Sequence, residues 1–385
     1  MNNQYKVKIV ESLSDISAFD WDSCANSKNP TVSHGFLSAL EDSKSVTIES
    51  GWKPQHIIIS DSKNKVSAVT PLYLKSHSYG EYVFDWGWAE AYERYGGQYY
   101  PKIQCSVPFT PITGPRLLTG ESSTSDLKEL LASSAVEYCS SLGASSVHLT
   151  FLPKKDWRML GAKGWLRRTG EQFHWQNKGY QNFDDFLSEL SSRKRKNIKK
   201  ERQNVLKHNL EIKIMGGSEI TEAMWDSFYN FYKNTSEKKW GYTYLKRSFF
   251  SLISQRIPEK ILLIMAFENG SPVAGALNLC DKTTLYGRNW GCIEDYKFLH
   301  FELCYYQAIE YAISCKLSSV EAGAQGGEHK LRRGYLPVPT YSVHWIQDPL
   351  LRDAIARFLI SERSAVEDGI GYLARYSPFK KKKNS

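Results

Sequence analysis

The chain has 385 residues, more than one hydrophobic core usually organises, so two domains or a two-lobed body are expected. Hydrophobic residues make up 41% and charged residues 24%, which is ordinary for a globular protein. The best apolar run, Ile261 to Phe267, is far shorter than the roughly 18 residues of a membrane span, and the amino terminus lacks the pattern of a secretory signal.

Seven scattered cysteines without a Cys-x-x-Cys motif suit reduced thiols and argue against a zinc site or a disulfide framework. We therefore expect a cytoplasmic protein without a bound metal. The formal net charge of +9 favours polyanionic partners such as tRNA, cofactor phosphates or acidic lipid. Part of this excess lies in the tail Lys380 to Lys383, which is expected to be a solvated end or, alternatively, a contact for an anionic surface.

The first half of the chain predicts an α/β unit. A short strand and two capped helices open it, and the polar segment SDSKNK joins two apolar runs into a predicted β-hairpin. The predicted elements are strand Val7 to Val10, helices Ser14 to Cys24 and Ser33 to Leu40, hairpin His56 to Ser60 with Val66 to Leu74, helix Ser125 to Leu142, strand Ser146 to Leu152, helix Asp156 to Lys163 and strand Leu166 to Gln176.

The second half repeats this order. Its predicted elements are the hairpin Ile261 to Glu268 with Val273 to Cys280, strand Thr284 to Trp290, helix Phe298 to Lys316, strand Ser319 to Ala322, the segment Glu328 to Arg333, and a strand ending in Val343 to Trp345. Gly164 to His174 and Gly334 to His344 are both separations of ten residues. Two copies of one α/β unit explain this match.

The copies differ by a long stretch of aromatic, acidic and basic residues. Val66 and His174 are separated by 108 positions and Val273 and His344 by 71, so residues 75–116 are predicted to be an insertion into the first copy. Rings interleaved with charges suggest the wall of a pocket, and the alternative is an ordered loop that covers its own domain. The predicted domains are 1–178, 179–350 with a basic helix at 184–206, and 351–385 with a C-terminal helix and basic tail.

Three helices are predicted between the copies, and the first of them is strongly basic. Arg193 to Arg202 holds seven basic residues in ten positions. Arg193, Lys196 and Lys200 are candidate contacts for phosphate, in tRNA or a lipid head group. A solvated helix face is the alternative. The other two helices are Thr221 to Asn234 and Leu245 to Arg256.

Six segments carry a resemblance to a known family. They are PLYLKSHSYGEYVFDW, ERYGGQYYPK, VPFTPITGPRLL, SRKRKNIKKER, LHFELCYYQAIEYA and EAGAQGGEHKLRRGYLP. The chain resembles the FemAB-like branch of the GNAT acyltransferase superfamily, labelled peptidoglycan biosynthesis or recognition. The resemblance implies an α/β (α+β) tandem GNAT-like repeat, with two mixed-sheet lobes and flanking helices, and an acyl or aminoacyl transferase.

One departure from the GNAT pattern concerns the donor. Enzymes of this superfamily that use acyl-CoA have a glycine-rich phosphate loop, but the second copy reads GCIEDYKFLHFE, with acids at Glu294 and Asp295. In the first copy, Thr113, Gly114 and Arg116 are candidate contacts for an anion. We expect no tightly bound cofactor, with aminoacyl-tRNA or acyl-CoA as co-substrate.

Amide formation needs a base for the amine and donors for the developing oxyanion. The carboxyl end of the predicted strand Ser319 to Ala322 and the glycine-rich turn after it offer Glu321, Glu328 and His329 as catalytic candidates. Lys330, Arg333 and Tyr335 follow as candidate substrate contacts. A tight strand-to-helix turn is the alternative, and adjacent Glu and His do not have metal-ligand spacing.

A second candidate base, Glu302, lies in an apolar helix where burial would raise its pKa. A structural ion pair, for example with Arg288, is the alternative. Arg288 and Trp290 of the neighbouring strand are also candidate substrate contacts.

The aromatic stretch supplies Asp85, Trp86, Arg94 and Tyr95 as candidate contacts for an amine- and carboxylate-bearing acceptor. Asp85 and Arg94 are predicted to orient it, and a salt bridge that fixes the loop is the alternative.

The leading hypothesis is transfer of an acyl or aminoacyl group to a small amine or peptide-like acceptor in the cleft between the copies. The alternatives are an acyl-CoA-dependent N-acetyltransferase and a non-catalytic protein that binds a peptide or sugar. The sequence does not fix the oligomeric state.

Overall fold

The computed structural model describes residues 5–26, 29–120, 125–324 and 326–380, without the side chains of residues 239 and 240. The chain forms two compact units, Met1–Gly170 with Pro339–Glu367 and Glu171–Val338 with Asp368–Ser385. We call these the first and the second unit. Neither is continuous in sequence, whereas the predicted domains are continuous segments. The reason is that the unit boundaries fall inside the long strands Leu166–Gln176 and Leu336–Ile346.

The strands, in chain order, are β1 (Lys6–Val10), β2 (Trp52–Pro54), β3 (His56–Ser60), β4 (Val66–Thr70), β5 (Tyr73–Lys75), β6 (Lys102–Cys105), β7 (Ser146–Leu149), β8 (Leu166–Gln176), β9 (Glu211–Gly216), β10 (Ile261–Glu268), β11 (Ser271–Cys280), β12 (Thr284–Cys292), β13 (Ser319–Glu321) and β14 (Leu336–Ile346).

The helices are α1 (Ala18–Ala25), α2 (His34–Asp42), α3 (Trp86–Arg94), α4 (Ser125–Ser141), α5 (Lys154–Ala162), α6 (Phe183–Glu189), α7 (Ser192–Leu206), α8 (Glu222–Trp240), α9 (Arg247–Arg256), α10 (Leu299–Phe301), α11 (Gln307–Ser314), α12 (Glu328–Leu331) and α13 (Pro349–Ala374). A π-helical turn, Glu302–Tyr306, joins α10 to α11. In the part of the chain that the structure describes, no helix is long and apolar enough to cross a membrane.

The main sheet of the first unit runs β2-β5-β6-β7-β14, and β1, β3 and β4 form a separate small sheet. β6 pairs antiparallel with β5 and parallel with β7. One face of the main sheet is apolar, because Ile103, Val147 and Val343 pack with the Leu131 side of α4. That stripe is the one that the spacing of Leu127, Leu131 and Ala135 predicts.

The predicted insertion contains one of these sheet strands. Residues 75–116 were expected to lie outside the repeated unit, but Lys102–Cys105 form β6, which occupies the same place in its sheet as β12 does in the second unit. The insertion is therefore divided by β6: the segment 76–101, which includes helix α3, precedes this strand, and the rest, from residue 106 on, follows it. The error arose because aromatic and charged residues of the loop run without a break into a short strand.

The opposite face of this sheet is polar and buried. Register partners across the strands place Lys75 beside Lys102, Tyr73 beside Gln104, and His148 beside His344. Each of these side chains is at most 1% exposed. Residues from segment 76–101 contact this face, as described below.

The second unit contains the sheet β9-β10-β11-β12-β13-β8. β10 and β11 form the predicted hairpin, and β12 pairs antiparallel with β11 and parallel with β13. Leu285, Val320 and Trp175 face a core shared with α6, α7 and α11. Helix α8 packs closely on β12, where a Cβ at Gly291 would lie 2.1 Å from the carbonyl oxygen of Phe231. Each unit thus has the mixed sheet with flanking helices that the sequence predicts.

The predicted basic helix 184–206 is two helices. α6 and α7 are separated at Leu190, which is buried, has extended backbone and bridges to Phe379. A hydrophobic residue that must reach the core interrupts the helix at this point.

Candidate functional site

The candidate site of the second unit lies where two parallel strands separate. β12 and β13 pair over three residues, and the last pair is Tyr286 with Glu321. β12 continues to Cys292, whereas β13 ends at Glu321 and the chain enters the glycine-rich segment 322–327. The carboxyl ends of parallel strands are a common position for ligand sites.

Glu321 lies directly opposite His174 of β8, so the two side chains share one face of the sheet. Glu321 Oε2 is 3.9 Å from His174 Nε2 and is buried without a hydrogen-bond partner. Burial, reinforced by the carboxylate of Asp281, raises the pKa of Glu321 to about 8. Burial, followed by the ammonium of Lys330, lowers the pKa of His174 to about 4. At neutral pH a protonated carboxyl therefore faces a neutral imidazole.

The glycine-rich turn lies against His329. Gly326 has φ +95°, and a Cβ there would lie 2.3 Å from the imidazole ring of His329, so glycine is required. His329 Nε2 is 3.1 Å from the Tyr305 hydroxyl oxygen. The buried Lys330 ammonium donates to the carbonyl of Gly323 at 2.9 Å, which fixes the start of the turn.

The other candidates near this turn have different surroundings. Glu328 is exposed and pairs with Arg332. Arg333 is buried and donates to both carboxylate oxygens of Glu201 at 2.8 Å. Tyr335 is completely buried, with its hydroxyl donating to the Tyr305 carbonyl at 3.3 Å. Arg333 and Tyr335 therefore support the turn from inside, which corrects their assignment as direct substrate contacts.

Glu302 forms a structural ion pair, but with a different partner from the one expected. It accepts hydrogen bonds from Arg202 Nη2 and from the side-chain amide of Gln307, both at 2.8 Å. Arg202 also binds Glu310. Because its oxygens already hold a guanidinium, Glu302 is a poor candidate for a free base, and the predicted pairing with Arg288 is corrected to Arg202.

Arg288 and Trp290 lie half-buried on β12. The Trp290 ring is 5.2 Å from the His300 ring and packs against the core of the second unit. Their part in substrate binding stays a prediction.

In the first unit, the region beyond the paired parallel strands β6 and β7 is occupied by residues of the same unit. Arg116 is completely buried, and its guanidinium donates to the carbonyls of Thr150 at 3.1 Å and Ile112 at 2.7 Å. The Gly114 amide donates to the Phe151 carbonyl at 3.0 Å. These bonds correct the prediction that Arg116 contacts an anion. Thr113 likewise binds within the unit, since its carbonyl accepts from Asn29 at 3.1 Å.

In the aromatic segment, Asp85 does not pair with Arg94 as predicted. Asp85 accepts from Lys102 Nζ at 2.5 Å and from the Tyr99 hydroxyl at 2.7 Å, all three being buried. Arg94 pairs with Glu90 one helical turn away on an exposed face. Asp85 is buried and therefore pairs with the buried Lys102, which is 17 positions away in the sequence. Trp86 and Tyr95, the other two candidates here, are 44% and 92% exposed.

Buried charges set the electrostatics of this region. Burial, the largest single influence, would raise the pKa of Asp85, but the Lys102 ammonium, His148 and hydrogen bonds to the carboxylate together lower it below its ordinary value. Burial raises the pKa of Glu81 to about 7, although Lys102 opposes the shift. Burial lowers the pKa of Lys75 to about 7.

Helix α7 presents its basic residues in two ways. Arg193, Lys196 and Lys200 are exposed, whereas Arg202 points inward to Glu302. Burial lowers the pKa of Lys194, and the cations Arg332 and Arg193 lower it further. Positive side chains of α7 and Arg332, which directly follows α12, therefore lie close together.

Three backbone amides where the segment after β12 enters α10 already have acceptors. The backbone amides of Leu299, Phe301 and Glu302 donate to the carbonyls of Tyr296 and Phe298 at 3.0 Å. Glu294 and Asp295 are exposed in this segment. Amides that already have acceptors, beside two carboxylates, disfavour a pyrophosphate.

His174 was not among the predicted site residues, although one signal pointed to it. His174 and His344 occupy matching positions in the repeat, and the register pairs them with Glu321 and His148 respectively. A repeated histidine beside a titratable partner in each copy could have indicated the pair.

Comparison with known proteins agrees with this architecture. A family model named FemAB-like, described as peptidoglycan biosynthesis/recognition, matches residues 12–381. The chain belongs to the FemAB-like family. No curated protein matches the sequence.

Several solved structures are similar to this FemAB-like protein. A crystal structure of FemX has a TM-score of 0.55 at 12% identity and covers 89% of this chain and 98% of its own. The C-terminal domain of a putative lysylphosphatidylglycerol synthetase from Agrobacterium fabrum has a TM-score of 0.55 at 8% identity, covering 92% and 98%. L-PGS from Bacillus licheniformis has a TM-score of 0.52 at 8% identity, covering 86% and 97%. At these identities the likeness concerns the fold alone, and it agrees with the predicted α/β class with two mixed-sheet lobes.

Proposed function

We propose that this FemAB-like protein is an aminoacyl transferase that forms an amide on the amine of a peptide-like acceptor. Family and fold support an acyltransferase of peptidoglycan-related type. The observation that carries the proposal is Glu321, a buried carboxyl with an unpartnered oxygen at the point where β12 and β13 separate.

In the proposed reaction, the acceptor reacts as the neutral amine. Its nitrogen attacks the donor carbonyl carbon and a C–N bond forms, while Glu321 in its carboxylate form takes a proton from that nitrogen. The ester C–O bond of the donor then breaks, and Glu321 gives this proton to the leaving hydroxyl oxygen, which regenerates the carboxylate. A pKa of about 8 places Glu321 near the range in which a base both accepts and releases protons at physiological pH.

The donor is proposed to be aminoacyl-tRNA rather than acyl-CoA. The exposed cations of α7, with Lys194 close to Arg332, suit a phosphate backbone. The engaged amides at α10 give a CoA pyrophosphate no comparable site. An aminoacyl-tRNA donor would require a cytoplasmic location.

The test is transfer of a radiolabelled amino acid from aminoacyl-tRNA to a lysine-containing peptide. Glu321→Gln keeps the shape of the side chain but removes the base, so we expect activity to fall about a hundredfold or more. Glu237→Gln, on the exposed side of α8 in the same unit, is the control and should retain activity. Full activity in Glu321→Gln would exclude this assignment.

A further inference from the structure

One surface of the first unit is strongly basic and has no role in the proposed reaction. Residues 154–168, which form α5 and the start of β8, include six bases and one acid, so their formal charge is +5 in a chain of +9. The acid, Asp156, is buried and binds Lys128 at 2.8 Å, so it does not neutralise the surface. Positive charge is therefore concentrated on a short stretch of the first unit.

Four cations of this stretch are exposed and form no ion pair in the part of the chain that the structure describes. The other two are paired, Lys163 with Glu129 at 2.8 Å and Arg168 with Glu362 at 2.7 Å. The four that remain, which we call the basic surface, are Lys154, Lys155, Arg158 and Arg167. Like charges that are held together without counter-charges attract an anion.

Aromatic rings lie beside these cations. The Arg167 guanidinium carbon is 4.7 Å from the centre of the Trp157 ring, and the Lys154 ammonium is 5.7 Å from the centre of the Tyr341 ring. The Trp157 and Tyr341 rings contact each other, with their centres 5.1 Å apart. The indole N–H of Trp157 donates to the Arg168 carbonyl at 3.1 Å, which fixes this ring. Cations and rings therefore form one connected surface.

The first half of α13 extends the positive charge. Its Arg363 donates a hydrogen bond to the Arg167 carbonyl, which brings a further guanidinium to the basic surface. Arg352 of the same helix stacks over Trp345, with its guanidinium carbon 4.5 Å from the ring centre. A guanidinium that stacks on a ring keeps N–H groups at its edge, and these suit phosphate oxygens.

The side chains of α5 and its neighbours disfavour a lipid surface as the partner. A helix that binds at a membrane interface inserts large apolar side chains into it. In residues 143–170, all of which the structure describes, no large apolar side chain is largely exposed. Trp157 is half-buried and tied to a backbone carbonyl, so it does not protrude. The surface offers charge and ring faces but nothing that inserts.

Single-stranded nucleic acid matches both parts of this surface. Its phosphates bind exposed lysine and arginine side chains, and its unpaired bases stack on aromatic rings and on guanidinium planes. A small anion would use the cations alone, and an acidic peptide supplies carboxylates without a series of flat rings. A positively charged surface with interleaved rings is the usual arrangement for binding a flexible phosphodiester chain.

We propose that the basic surface, with the rings of Trp157 and Tyr341, is a binding site for single-stranded nucleic acid. An RNA donor is one source of such a chain. The site shares no residue with α7 or with Glu321, so the proposal concerns binding only and holds or fails whether or not the protein is an aminoacyl transferase.

The experiment is fluorescence anisotropy of labelled oligouridine RNA titrated with the full chain. A probe of about 20 nucleotides exceeds the sites of roughly 4–16 nucleotides that single-strand-binding folds use. Oligothymidine DNA and an abasic chain of the same length are run beside it. Saturable binding that weakens with added salt is expected for RNA or for both base-bearing probes, and weaker binding for the abasic chain, which has nothing to stack.

Two variants test the two parts of the surface. Lys154→Gln/Arg158→Gln removes two exposed cations, and Tyr341→Leu replaces the ring by an aliphatic side chain; each should weaken binding about tenfold. The matched control, Lys63→Gln/Lys65→Gln, removes the same charge from the exposed turn between β3 and β4 and should bind like the wild type.

An α7 variant, Arg193→Gln/Lys196→Gln, separates this site from the cations proposed to hold the donor. Ultraviolet cross-linking followed by mass spectrometry should place the probe on residues 154–168 or on Tyr341 in this variant as in the wild type. Circular dichroism establishes that every variant folds, and the use of two surface variants protects the test against misfolding of one.

Several results would overturn the proposal. They are absence of saturable binding of both base-bearing probes, wild-type affinity in Lys154→Gln/Arg158→Gln and Tyr341→Leu, and loss of binding in the α7 variant alone. Equally tight binding of the abasic chain would show a general phosphate contact and also contradict it. Binding to phosphatidylglycerol vesicles without binding to either base-bearing probe would assign the surface to lipid. A preference for oligouridine over oligothymidine would support the proposal and identify RNA as the source, and equal affinity would support it for both.

Discussion

Glu81, which is buried, and Glu321, which is largely buried, both have raised pKa values, and their neighbours give them different roles. Glu81 has a pKa of about 7 and bonds to Lys102 Nζ at 2.8 Å, so its charge is matched within the first unit. Glu321 has a pKa of about 8. In the part of the chain that the structure describes, one oxygen of each residue, Glu81 Oε1 and Glu321 Oε2, lacks a hydrogen-bond partner, but Glu321 lies 3.9 Å from the neutral His174 and has no lysine comparable to Lys102. Glu321 is therefore the carboxyl available to exchange a proton with a ligand.

The pH dependence of catalysis should report this carboxyl. A base works in its deprotonated form, so kcat/KM for aminoacyl transfer should rise with pH to a plateau with a midpoint near 8, the pKa of Glu321. The profile is measured under first-order conditions from pH 6 to pH 9.5. Glu321→Gln should lose this limb. A rising limb of unchanged midpoint in Glu321→Gln would assign it to another group.

At the level of secondary-structure elements, two adjacent residues of α7 form ion pairs that support the candidate site. We call these ion pairs the brace. Glu201 binds Arg333, which follows α12, and Arg202 binds Glu302 in the π-helical turn and Glu310 in α11. Arg333 also donates to the His329 carbonyl at 2.7 Å. Since π-helical turns are frequent at functional sites, this brace around the turn agrees with a site there.

Breaking one half of the brace should destabilise the second unit. Glu201→Gln leaves the mostly buried Arg333 guanidinium without its carboxylate, and we expect a loss of about 2 kcal/mol in the free energy of unfolding, less than for a fully buried pair. Urea unfolding measures it. Hydrogen exchange in residues 328–336 should also increase.

The control for this prediction is an ion pair of similar type on the surface. Glu90→Gln removes the partner of the exposed Arg94 and should change stability by less than about 0.5 kcal/mol. If both variants lost the same amount, or if exchange in 328–336 did not change, α7 would not act as a brace.

The sequence predicts elements best where their pattern is local. Strand Leu166–Gln176 and the hairpin of β10 and β11 follow from alternation and turn residues, and the structure confirms them. β6 was assigned to the insertion because its role depends on pairing with β7, more than forty residues later in the chain. The break at Leu190 depends on contact with Phe379, which no local pattern shows.

The contacts of the candidate site residues also depend on residues that are distant in sequence. Glu321 is visible as an acid before a glycine-rich turn, but its neighbour His174 comes from a strand distant in sequence. Arg116 looks like an anion contact because a basic residue follows Gly-Pro, yet backbone carbonyls of its own unit take up its donors. Contacts between residues distant in sequence decide which charged side chains remain available to bind a ligand, and the composition of a segment does not show these contacts.

At the scale of the whole molecule, histidines buried in neutral form link folding to pH. His148 and His344 are completely buried, with their Nδ1 atoms 2.7 Å apart. Burial, and next the Lys102 ammonium, lowers the pKa of His148 to about 3. Burial, and next His148, lowers the pKa of His344 well below its ordinary value. Asp85 acts in the opposite direction on both, whereas Arg168 adds to the lowering.

Because the pKa values of His148 and His344 are lowered in the folded protein, acid should decrease the free energy of unfolding. Below pH 6.5, the ordinary pKa of histidine, the unfolded chain takes up these protons and the folded chain does not, so acid favours unfolding. Each histidine contributes a slope of up to about 1.4 kcal/mol per pH unit between pH 6.5 and its folded pKa. Glu81 and Glu321, whose pKa values are raised, oppose this loss above about pH 4.5.

A double variant separates the histidines from these opposing groups. In His148→Gln/His344→Gln, the carboxyls remain, and the acid loss of unfolding free energy between pH 6 and pH 4 should be smaller than in the wild type, whatever the stability at neutral pH. His208→Gln, just beyond the end of α7, is the control and should keep the wild-type slope. Urea unfolding followed by tryptophan fluorescence at each pH gives the three slopes. Equal slopes in the double variant and the wild type would show that the buried pair does not set acid stability, and would move the cause to other groups.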